Sequence, residues 1–208
     1  LGVVFIFFMK KPHSDEAEVL KNFHHNVWSV GLLISCVTFL LSLLILYEFN
    51  DTEGFQLVEK VPISSFLTMT YHMGLDGVSL VFVLLTTFLM PLSLLASMKS
   101  IKTKVNTYVM AFLILETMML GVFSSLDMIF FYIFFEGVLI PMFLIIGIWG
   151  GARRVYSSFK FFLYTFLGSI FMLVAMIHMA QETGTTSIPI LQNHVFSPTL
   201  QPWLWLAF

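Results

Sequence analysis

The stretch Met128-Ile-Phe-Phe-Tyr-Ile-Phe-Phe-Glu136-Gly-Val-Leu-Ile-Pro141-Met-Phe-Leu-Ile-Ile-Gly-Ile-Trp149 decides how this chain folds. It is long enough to cross a bilayer, which takes about 20 apolar residues in a helix. Glu136 is its only acidic or basic residue. At about 1.5 Å of rise per residue, Glu136 lies roughly 12 Å from the nearer end, too deep for a short carboxylate side chain to reach water. The stretch therefore predicts a membrane-spanning helix built around a buried acid.

The depth of Glu136 indicates a functional site. Placing an ionisable group at this depth costs at least ~2–3 kcal/mol, so such a residue is taken as a functional-site hypothesis. Pro141 lies inside the same helix and leaves the carbonyl of Gly137 without its usual donor. We expect a carboxyl beside this loosened backbone to accept water and a moving proton, with Tyr132 either as a hydrogen-bond partner or as an interface residue. The alternative is a neutral glutamic acid bonded to a neighbouring helix.

The composition indicates a membrane protein. The 208 residues are 58% hydrophobic and 11% charged, with a formal net charge of −2. Apolar blocks of this kind are typical of polytopic membrane proteins, and the balanced charge does not indicate nucleic-acid binding. The single cysteine, Cys36, lies in an apolar run and is expected to be inert packing. The apolar residues 1–9 resemble the end of a spanning helix more than a signal peptide.

We predict an all-α fold, a polytopic transmembrane helix bundle with about six spans and the start of a seventh. The whole chain, residues 1–208, is predicted to be a single transmembrane domain with spans near 1–9, 27–47, 75–97, 107–125, 128–149, 158–179 and 203–208. Residues 48–72 are predicted to form a longer loop. Asp76 or Ser79 is predicted to cap the third span, and Pro91 to bend it.

Basic residues define the orientation of the predicted spans. They concentrate in alternate loops, at Lys10, Lys11, Lys21, Lys99, Lys102, Lys104, Arg153 and Arg154. The positive-inside rule places these loops on the cytoplasmic or matrix side. The tryptophans fall near span ends, as an aromatic belt at the membrane interface requires.

A second acid, Glu116, lies in the fourth span. Glu116 and Glu136 are each ten residues from Leu126, the centre of the turn that joins the two spans. Antiparallel spans joined by a tight turn then place both carboxyls at about the same depth. If their faces meet, the two carboxyls would share one proton. Otherwise Glu116 hydrogen-bonds to another helix, and the sequence leaves both arrangements open.

The sixth span has a polar face. Lys160, Tyr164 and Gly168 are four residues apart in sequence, with Thr165 and Ser169 beside them. They could form the wall of a hydrated path with Lys160 as the proton entry. The alternative is a lysine that snorkels to the interface, with small residues for close helix packing.

The chain is expected to bind no redox cofactor of its own. Its sequence contains no metal-ligand cluster, no glycine-rich phosphate loop and no nucleophile–base pattern. His178 has no second histidine at similar depth on a facing span, so a haem with two histidine ligands is not expected. A quinone site is not favoured either, because no polar site for the quinone headgroup is visible.

Four stretches carry a resemblance to a known family. They are Gly74-Leu-Asp-Gly-Val-Ser-Leu80, Asp127-Met-Ile-Phe-Phe-Tyr-Ile-Phe-Phe-Glu-Gly-Val-Leu-Ile-Pro-Met142, Gly147-Ile-Trp-Gly150 and Phe161-Phe-Leu-Tyr-Thr-Phe-Leu-Gly-Ser169. Over nearly its whole length the chain resembles the N-terminal half of NADH dehydrogenase subunit 4, the antiporter-like membrane subunit of mitochondrial respiratory complex I. The most specific part is Phe-Glu-x-x-Leu-Ile-Pro followed by Trp-Gly. Mrp-type cation/proton antiporters and membrane-bound hydrogenases carry looser versions.

The resemblance implies a membrane-arm subunit of a proton-translocating NADH:ubiquinone oxidoreductase. Its expected location is the mitochondrial inner membrane, with a bacterial plasma membrane as the alternative. Glu136 would be the key carboxylate of a proton channel, and its family partner is a lysine on the seventh helix, in a run similar to Phe-Ala-Val-Lys-Val-Pro. FMN, iron–sulfur clusters and ubiquinone are then expected in other subunits, with no redox chemistry on this chain.

The sequence departs from the family in one large respect, because it ends at Phe208, before that lysine. The central helices that follow the lysine and the second inverted repeat are also missing. We expect a split subunit in which a second chain supplies the C-terminal half; the alternative is that this sequence is part of a longer chain. Other membrane-arm subunits and the lipid bilayer are the remaining expected partners.

The sequence leaves two alternatives to the complex I membrane-arm function. The first is a subunit of an Mrp-type cation/proton antiporter with no link to NADH. The second is a structural membrane-arm fragment that has lost transport. The presence of both Glu116 and Glu136 counts against the second, given the cost of placing them in the membrane.

Overall fold

A computed structural model describes residues 2–8, 17–50, 54–64 and 69–208. The helices in these ranges are α1 (Gly2–Phe8), α2 (Ala17–Glu48), α3 (Gly77–Ser97), α4 (Val105–Ser124), α5 (Met128–Trp149), α6 (Arg154–Thr183), α7 (Ile188–Leu191) and α8 (Gln201–Ala207). The strands are β1 (Gln56–Ser64) and β2 (Met69–Leu75). Lys10 and Lys11, which contribute to the predicted orientation, lie outside the described residues.

Five of the described helices, α2 to α6, are long and apolar enough to cross a membrane. The predicted polytopic helix bundle is therefore confirmed. Helix α2 begins ten residues before the predicted span, at Ala17, and α6 runs from Arg154 to Thr183. The difference has a physical reason: hydropathy marks only the part of a helix that lies in the hydrocarbon, and a helix can continue beyond it into the headgroup region.

The prediction of a loop over residues 48–72 is wrong, because β1 and β2 form an antiparallel hairpin there. Lys60 pairs with His72 and Val61 pairs with Tyr71. The Tyr71 ring meets the Phe130 ring edge-on at 5.8 Å, so the hairpin rests on the first turn of α5. A hydropathy window long enough to find membrane spans averages out the alternation that marks a strand, which is why this hairpin was not predicted.

Side-chain caps begin α3 and α5. Asp76 Oδ1 accepts a hydrogen bond from Ser79 N at 2.7 Å, and Asp76 N donates to Ser79 Oγ at 3.1 Å. This capping box confirms the predicted start of the third span. The hydrogen bonds that Ser79 donates to the Asp76 carboxyl hold the pKa of Asp76 below its ordinary value. At the start of α5, Asp127 Oδ1 accepts from Ile129 N at 2.9 Å.

Glycines allow α4 and α5 to approach closely. A Cβ at Gly121 would lie 2.4 Å from Phe134 Cδ1, and a Cβ at Gly137 would lie 2.7 Å from Met118 Sδ. Small residues at such crossings are typical of membrane helices, since close contact is what holds these helices together in lipid. The two contacts define how α4 and α5 are aligned along their axes.

The two ends of the bundle differ. The basic end, which carries Lys21, Lys99, Lys102, Lys104, Arg153 and Arg154, is closed by a buried apolar cluster from α1 to α4 that includes Trp28, Val105 and Tyr108. The hairpin end carries β1 and β2. The helices between them leave many large apolar side chains exposed, such as Leu163 and Phe171 of α6. Such faces suit contact with lipid or with neighbouring subunits.

Three segments are joined at the hairpin end, at residues 72–73, 125–128 and 186–188, which we term the clasp. Leu126 N donates to His72 O, Met128 N donates to Thr186 O, and Ile188 N donates to Leu126 O, each at 2.9 Å. Thr186 Oγ1 donates to Asp127 Oδ2 at 2.5 Å. The clasp thereby ties the hairpin, the α4–α5 turn and the segment after α6 to one another.

Candidate functional site

Glu136 lies on α5 beside α6 and is half-buried. Among the described residues, its buried Oε1 has no hydrogen-bond partner. Tyr132, one turn earlier, is close enough to interact with both the Glu136 carboxyl and the Ser169 hydroxyl of α6. No lysine, arginine or histidine in the described part of the chain forms an ion pair with Glu136. Within the described ranges, the carboxyl thus has a polar neighbour in Tyr132 and one oxygen without a hydrogen-bond partner.

Helix α5 continues through Pro141, and α3 continues through Pro91. Because proline has no N–H, the carbonyl of Gly137 lacks the donor that residue 141 would otherwise supply. An acceptor with no donor within its own helix therefore lies directly after Glu136 in sequence. The bending of α3 at Pro91 stays a prediction.

Glu116 lies in a different environment. It is only 3% exposed, and its Oε1 has no hydrogen-bond partner among the described residues. It borders a cleft of about 400 Å³ between α1, α2 and α4, together with Thr38 and Thr117. Met118 and Gly121 of α4 contact α5, whereas Glu116 lines the cleft on the α1 and α2 side of the same helix. The structure does not bring Glu116 and Glu136 together, and a directly shared proton is not the arrangement it shows.

The depths of the two acids agree with the prediction to within one helical turn. The contacts of Gly121 with Phe134 and of Gly137 with Met118 place Glu116 level with Leu139. Glu136 is then nearer the hairpin end by three residues, or roughly 4.5 Å. The pair therefore lies in one layer of the membrane on opposite sides of the α4–α5 contact.

Lys160 is exposed and lies closer to the basic end than Glu136 does. The Phe143 ring packs against Phe159 at 5.2 Å and Phe162 at 5.6 Å, which places Lys160 level with Phe143. Phe143 is seven residues from Glu136, or roughly 10 Å along α5. Lys160 thus lies between the basic end and Glu136 in depth, and its role in proton entry stays a prediction.

The predicted polar face of α6 lines a cleft. Tyr164, Thr165, Gly168 and Ser169 border a space of about 840 Å³ between α6 and α8, and Tyr164 is 81% exposed. Lys160 does not border this cleft. The hydroxyls of Thr165 and Ser169 donate to carbonyls of their own helix, at 2.7 Å and 2.9 Å. Most of the predicted wall therefore exists, and the hydroxyls of Thr165 and Ser169 already donate within α6.

Two polar residues at the hairpin end were missed by sequence reasoning. Asp127, which was not predicted to be a cap, is fully buried and caps α5. The signal that could have found it is an aspartate directly before a long apolar run, which is typical of a helix N-cap. His72 is also buried, and its Nδ1 has no described hydrogen-bond partner. Burial and then Lys60 hold the pKa of His72 below its ordinary value, while Asp127 opposes them.

Metal ligands do not cluster in the described ranges: no three histidine, cysteine or acidic side chains there are placed to hold a metal ion. The expectation that the chain carries no cofactor stays a prediction.

The fold and these buried acids define a multi-pass membrane protein with an acid in each of two adjacent spans. Residues 18–125 match the family model of the amino terminus of NADH-ubiquinone oxidoreductase chain 4. Residues 125–207 match the transmembrane model described as NADH:quinone oxidoreductase/Mrp antiporter. The chain belongs to the NADH-ubiquinone oxidoreductase chain 4 family, which confirms the resemblance.

Individual members of the family are similar to this chain over most of its length. The chain is 52% identical over 176 residues to NADH-quinone oxidoreductase subunit M of Rhodobacter capsulatus, which covers 84% of this chain and 34% of that protein. It is 45% identical over 181 residues to NADH-ubiquinone oxidoreductase chain 4 of Arabidopsis thaliana, covering 86% and 37%. A chain of respiratory complex I from Thermus thermophilus with bound NADH superposes with a TM-score of 0.77 at 26% identity, covering 99% of this chain and 40% of that one. The chain spans little more than a third of the length of these relatives.

Proposed function

We propose that this chain is part of the membrane arm of a proton-translocating NADH:quinone oxidoreductase, and that Glu136 carries protons in it. Family membership supports the assembly. The observation that supports this role is the state of Oε1 of Glu136. This oxygen is buried on a membrane-spanning helix and has no hydrogen-bond partner among the described residues. NADH oxidation, FMN, iron–sulfur clusters and ubiquinone belong to other subunits in this proposal, and the mitochondrial inner membrane is the proposed location.

Helices outside residues 1–208 complete the proposed proton site around Glu136. A carboxyl that gains and loses protons needs a charge that changes nearby, and the family resemblance supplies a lysine on a later helix. In this proposal a later helix of the subunit supplies that lysine, on this polypeptide or on a second one, and the neighbouring membrane-arm subunits surround it. The free oxygen of Glu136 and the cleft beside α6 support a partner helix on this side.

The proposed step is electrostatic. A cation that approaches Glu136 stabilises the carboxylate and releases its proton, and a cation that withdraws lets the carboxyl take up another. Tyr132 orients the carboxyl from one turn away. Protons arrive from the basic end past Lys160, which lies roughly 10 Å short of Glu136 along the helix axis. Glu116 is a second acid at the same depth on the α2 side of the bundle, with its own cleft.

Replacing Glu136 with glutamine tests the proposal, because glutamine keeps the size and polarity of the side chain but cannot ionise. The complex that contains this chain would be reconstituted into vesicles, and proton uptake coupled to NADH oxidation would be measured. We expect pumping to fall at least tenfold, a loss typical of removing one essential proton-transfer group. Glu48→Gln is the matched control, since Glu48 is exposed at the end of α2.

Two outcomes contradict the proposal. Full pumping by Glu136→Gln would show that Glu136 carries no proton, and would favour the structural-fragment function. An equal loss in Glu48→Gln would show that the effect is one of assembly. The amount of chain incorporated into the complex is measured in every variant to separate assembly from transport.

A second candidate is Mrp-type cation/proton antiport without NADH. The family model that matches residues 125–207 covers both kinds of protein, which is the observation that favours it. Affinity purification of the tagged chain separates the two candidates. Co-purification with an NADH-oxidising flavoprotein supports the main proposal, whereas sodium-driven proton release without such a subunit supports antiport.

A further inference from the structure

A charged cleft lies at the basic end, away from Glu136. Its volume is about 620 Å³, and it is formed by the first turns of α2, the loop after α3 and the start of α4. Its polar lining consists of Lys21, Asn22, His24, His25 and Lys102. We propose that this cleft binds the headgroup of an anionic phospholipid.

The floor of the cleft is apolar and buried. Trp28 and Val105 lie at its base, only 4% and 1% exposed, with Leu20 and Ile101 beside them. A cationic rim above an apolar floor matches a phospholipid, whose phosphate is anionic and whose glycerol and first acyl carbons are not. Basic pockets between membrane helices on the positively charged side commonly hold anionic headgroups.

Aromatic contacts hold the floor in place. The Tyr108 ring packs on Trp28 at 5.8 Å and on Trp149 at 5.0 Å. The Tyr108 hydroxyl donates to Ser97 Oγ at 2.8 Å, at the end of α3. Trp149 Nε1 donates to the carbonyl of Thr103 at 2.9 Å, which fixes the loop directly after Lys102. The two sides of the cleft are therefore preformed, which lowers the cost of ordering them around a ligand.

The two lysines of the cleft have no acidic partner among the residues that the structure describes. Lys21 and Lys102 come from different elements, and neither forms an ion pair with any acidic side chain in the described part of the chain. Glu18, one turn before Lys21, is exposed and does not line the cleft. Lys99 and Lys104 lie in the same loop as Lys102 but outside the lining. Lys21 and Lys102 are thus the two lysines that line the cleft, and in this proposal both attract the same phosphate.

The test compares two double variants that remove the same charge. Complexes that carry Lys21→Gln with Lys102→Gln, or Lys99→Gln with Lys104→Gln, are placed in phosphatidylcholine nanodiscs with a photoreactive phosphatidylglycerol. Crosslinks are mapped to residues 20–28 and 98–105 as the probe fraction rises. We expect the Lys21/Lys102 variant to need about 25-fold more probe for half-maximal labelling, roughly fivefold per lysine. The Lys99/Lys104 variant should label like the unmodified protein.

Three results would overturn the proposal. Equal weakening in the Lys99/Lys104 variant would mean that the probe senses general surface charge. Equal labelling by a photoreactive phosphatidylcholine would mean that the cleft binds any lipid. Displacement of the probe by inorganic phosphate would identify a site for soluble anions instead.

Assembly is controlled separately. Lys21→Arg with Lys102→Arg keeps both charges and should label within about twofold of the unmodified protein, because either cation attracts a headgroup at this depth. Should the double glutamine variant fail to assemble, Lys102→Gln alone tests the proposal with an expected loss of about fivefold. Unchanged labelling in that single variant would also count against the site.

Discussion

Glu116 and Glu136 show how one residue type at one depth acquires two environments. Glu116 borders a cleft on the α2 side, whereas Glu136 lies beside Tyr132 and Ser169 on the α6 side. Each has one buried oxygen that no described residue satisfies. Because the α4–α5 contact separates them, the two carboxyls occupy distinct positions within one membrane layer.

Asp127 is a residue whose loss we expect to lower the stability of the protein. Its carboxyl accepts from Ile129 N and Phe130 N at the start of α5 and from Thr186 Oγ1. Asp127→Ala removes the cap and leaves these donors unpaired, so we expect the free energy of unfolding to fall by about 2–4 kcal/mol. Thermal unfolding of the purified protein in detergent measures the loss.

Thr186→Val is the control for that measurement. It removes only the Thr186 hydroxyl, so a smaller loss of about 1 kcal/mol is expected. If both variants lost the same stability, the N-cap would contribute nothing, contrary to the geometry.

At the scale of the elements, the crossing of α4 and α5 depends on Gly121 and Gly137. The ring of Phe134 occupies the space that a Cβ at Gly121 would need. Close approach is obtained by omitting a side chain, and the crossing then aligns Glu116 and Glu136 in depth. The surroundings of Gly168 on α6 are different, since a Cβ at Gly168 would meet nothing within 4 Å.

This contrast makes two identical substitutions distinguishable. Gly121→Ala should push Phe134 aside and separate α4 from α5, with a loss of about 1–3 kcal/mol from overpacking. Gly168→Ala should be neutral or slightly stabilising, because alanine is the better helix former by up to about 1 kcal/mol. Thermal unfolding of both variants is the measurement, and a larger loss in Gly168→Ala would refute this account of the crossing.

At the scale of the whole molecule, the hairpin end is held by the clasp. Three segments that are far apart in sequence meet there through backbone hydrogen bonds and the Thr186 hydroxyl. His72 is buried in this arrangement, with Lys60 lowering its pKa further. We therefore expect the stability of the clasp to depend on pH.

The direction of that dependence follows from the lowered pKa of His72. An unfolded segment binds a proton near the ordinary pKa of 6.5, whereas the buried side chain binds it only at lower pH. The contribution of His72 is thus fully present above pH 6.5, and is lost as the pH falls from there through the folded pKa. Base-catalysed hydrogen exchange slows as the pH falls. Below pH 6.5, residues 70–75 and 126–128 should exchange faster than that trend predicts, because the clasp opens more often.

The matched control is His178, which is exposed on α6. His72→Gln should remove the added pH dependence of hydrogen exchange, and His178→Gln should leave it in place. A pH dependence that survives His72→Gln would assign it to another group in the clasp.

Some elements could be predicted from sequence and others could not. The spans α3, α4 and α5 were predicted to within a few residues, because about 20 consecutive apolar residues have one stable placement in a bilayer. The cap at Asp76 was equally local. The pairing of β1 with β2 was missed because a long hydropathy window averages out the alternation of a strand. The contacts of these strands with the α4–α5 turn and Phe130 also join residues that are far apart in sequence.

The sequence by itself determined that this chain crosses a membrane several times, that Glu116 and Glu136 share a layer of it, and which family it belongs to. These follow from hydrophobicity, helical rise and local motifs. Only the tertiary structure decided that the two acids face opposite sides, that Asp127 and His72 are buried together, and that Lys21 and Lys102 face one cleft. Helix rotation and long-range contact decide those features, and both depend on how side chains such as Phe134 and Gly121 fit when distant segments pack.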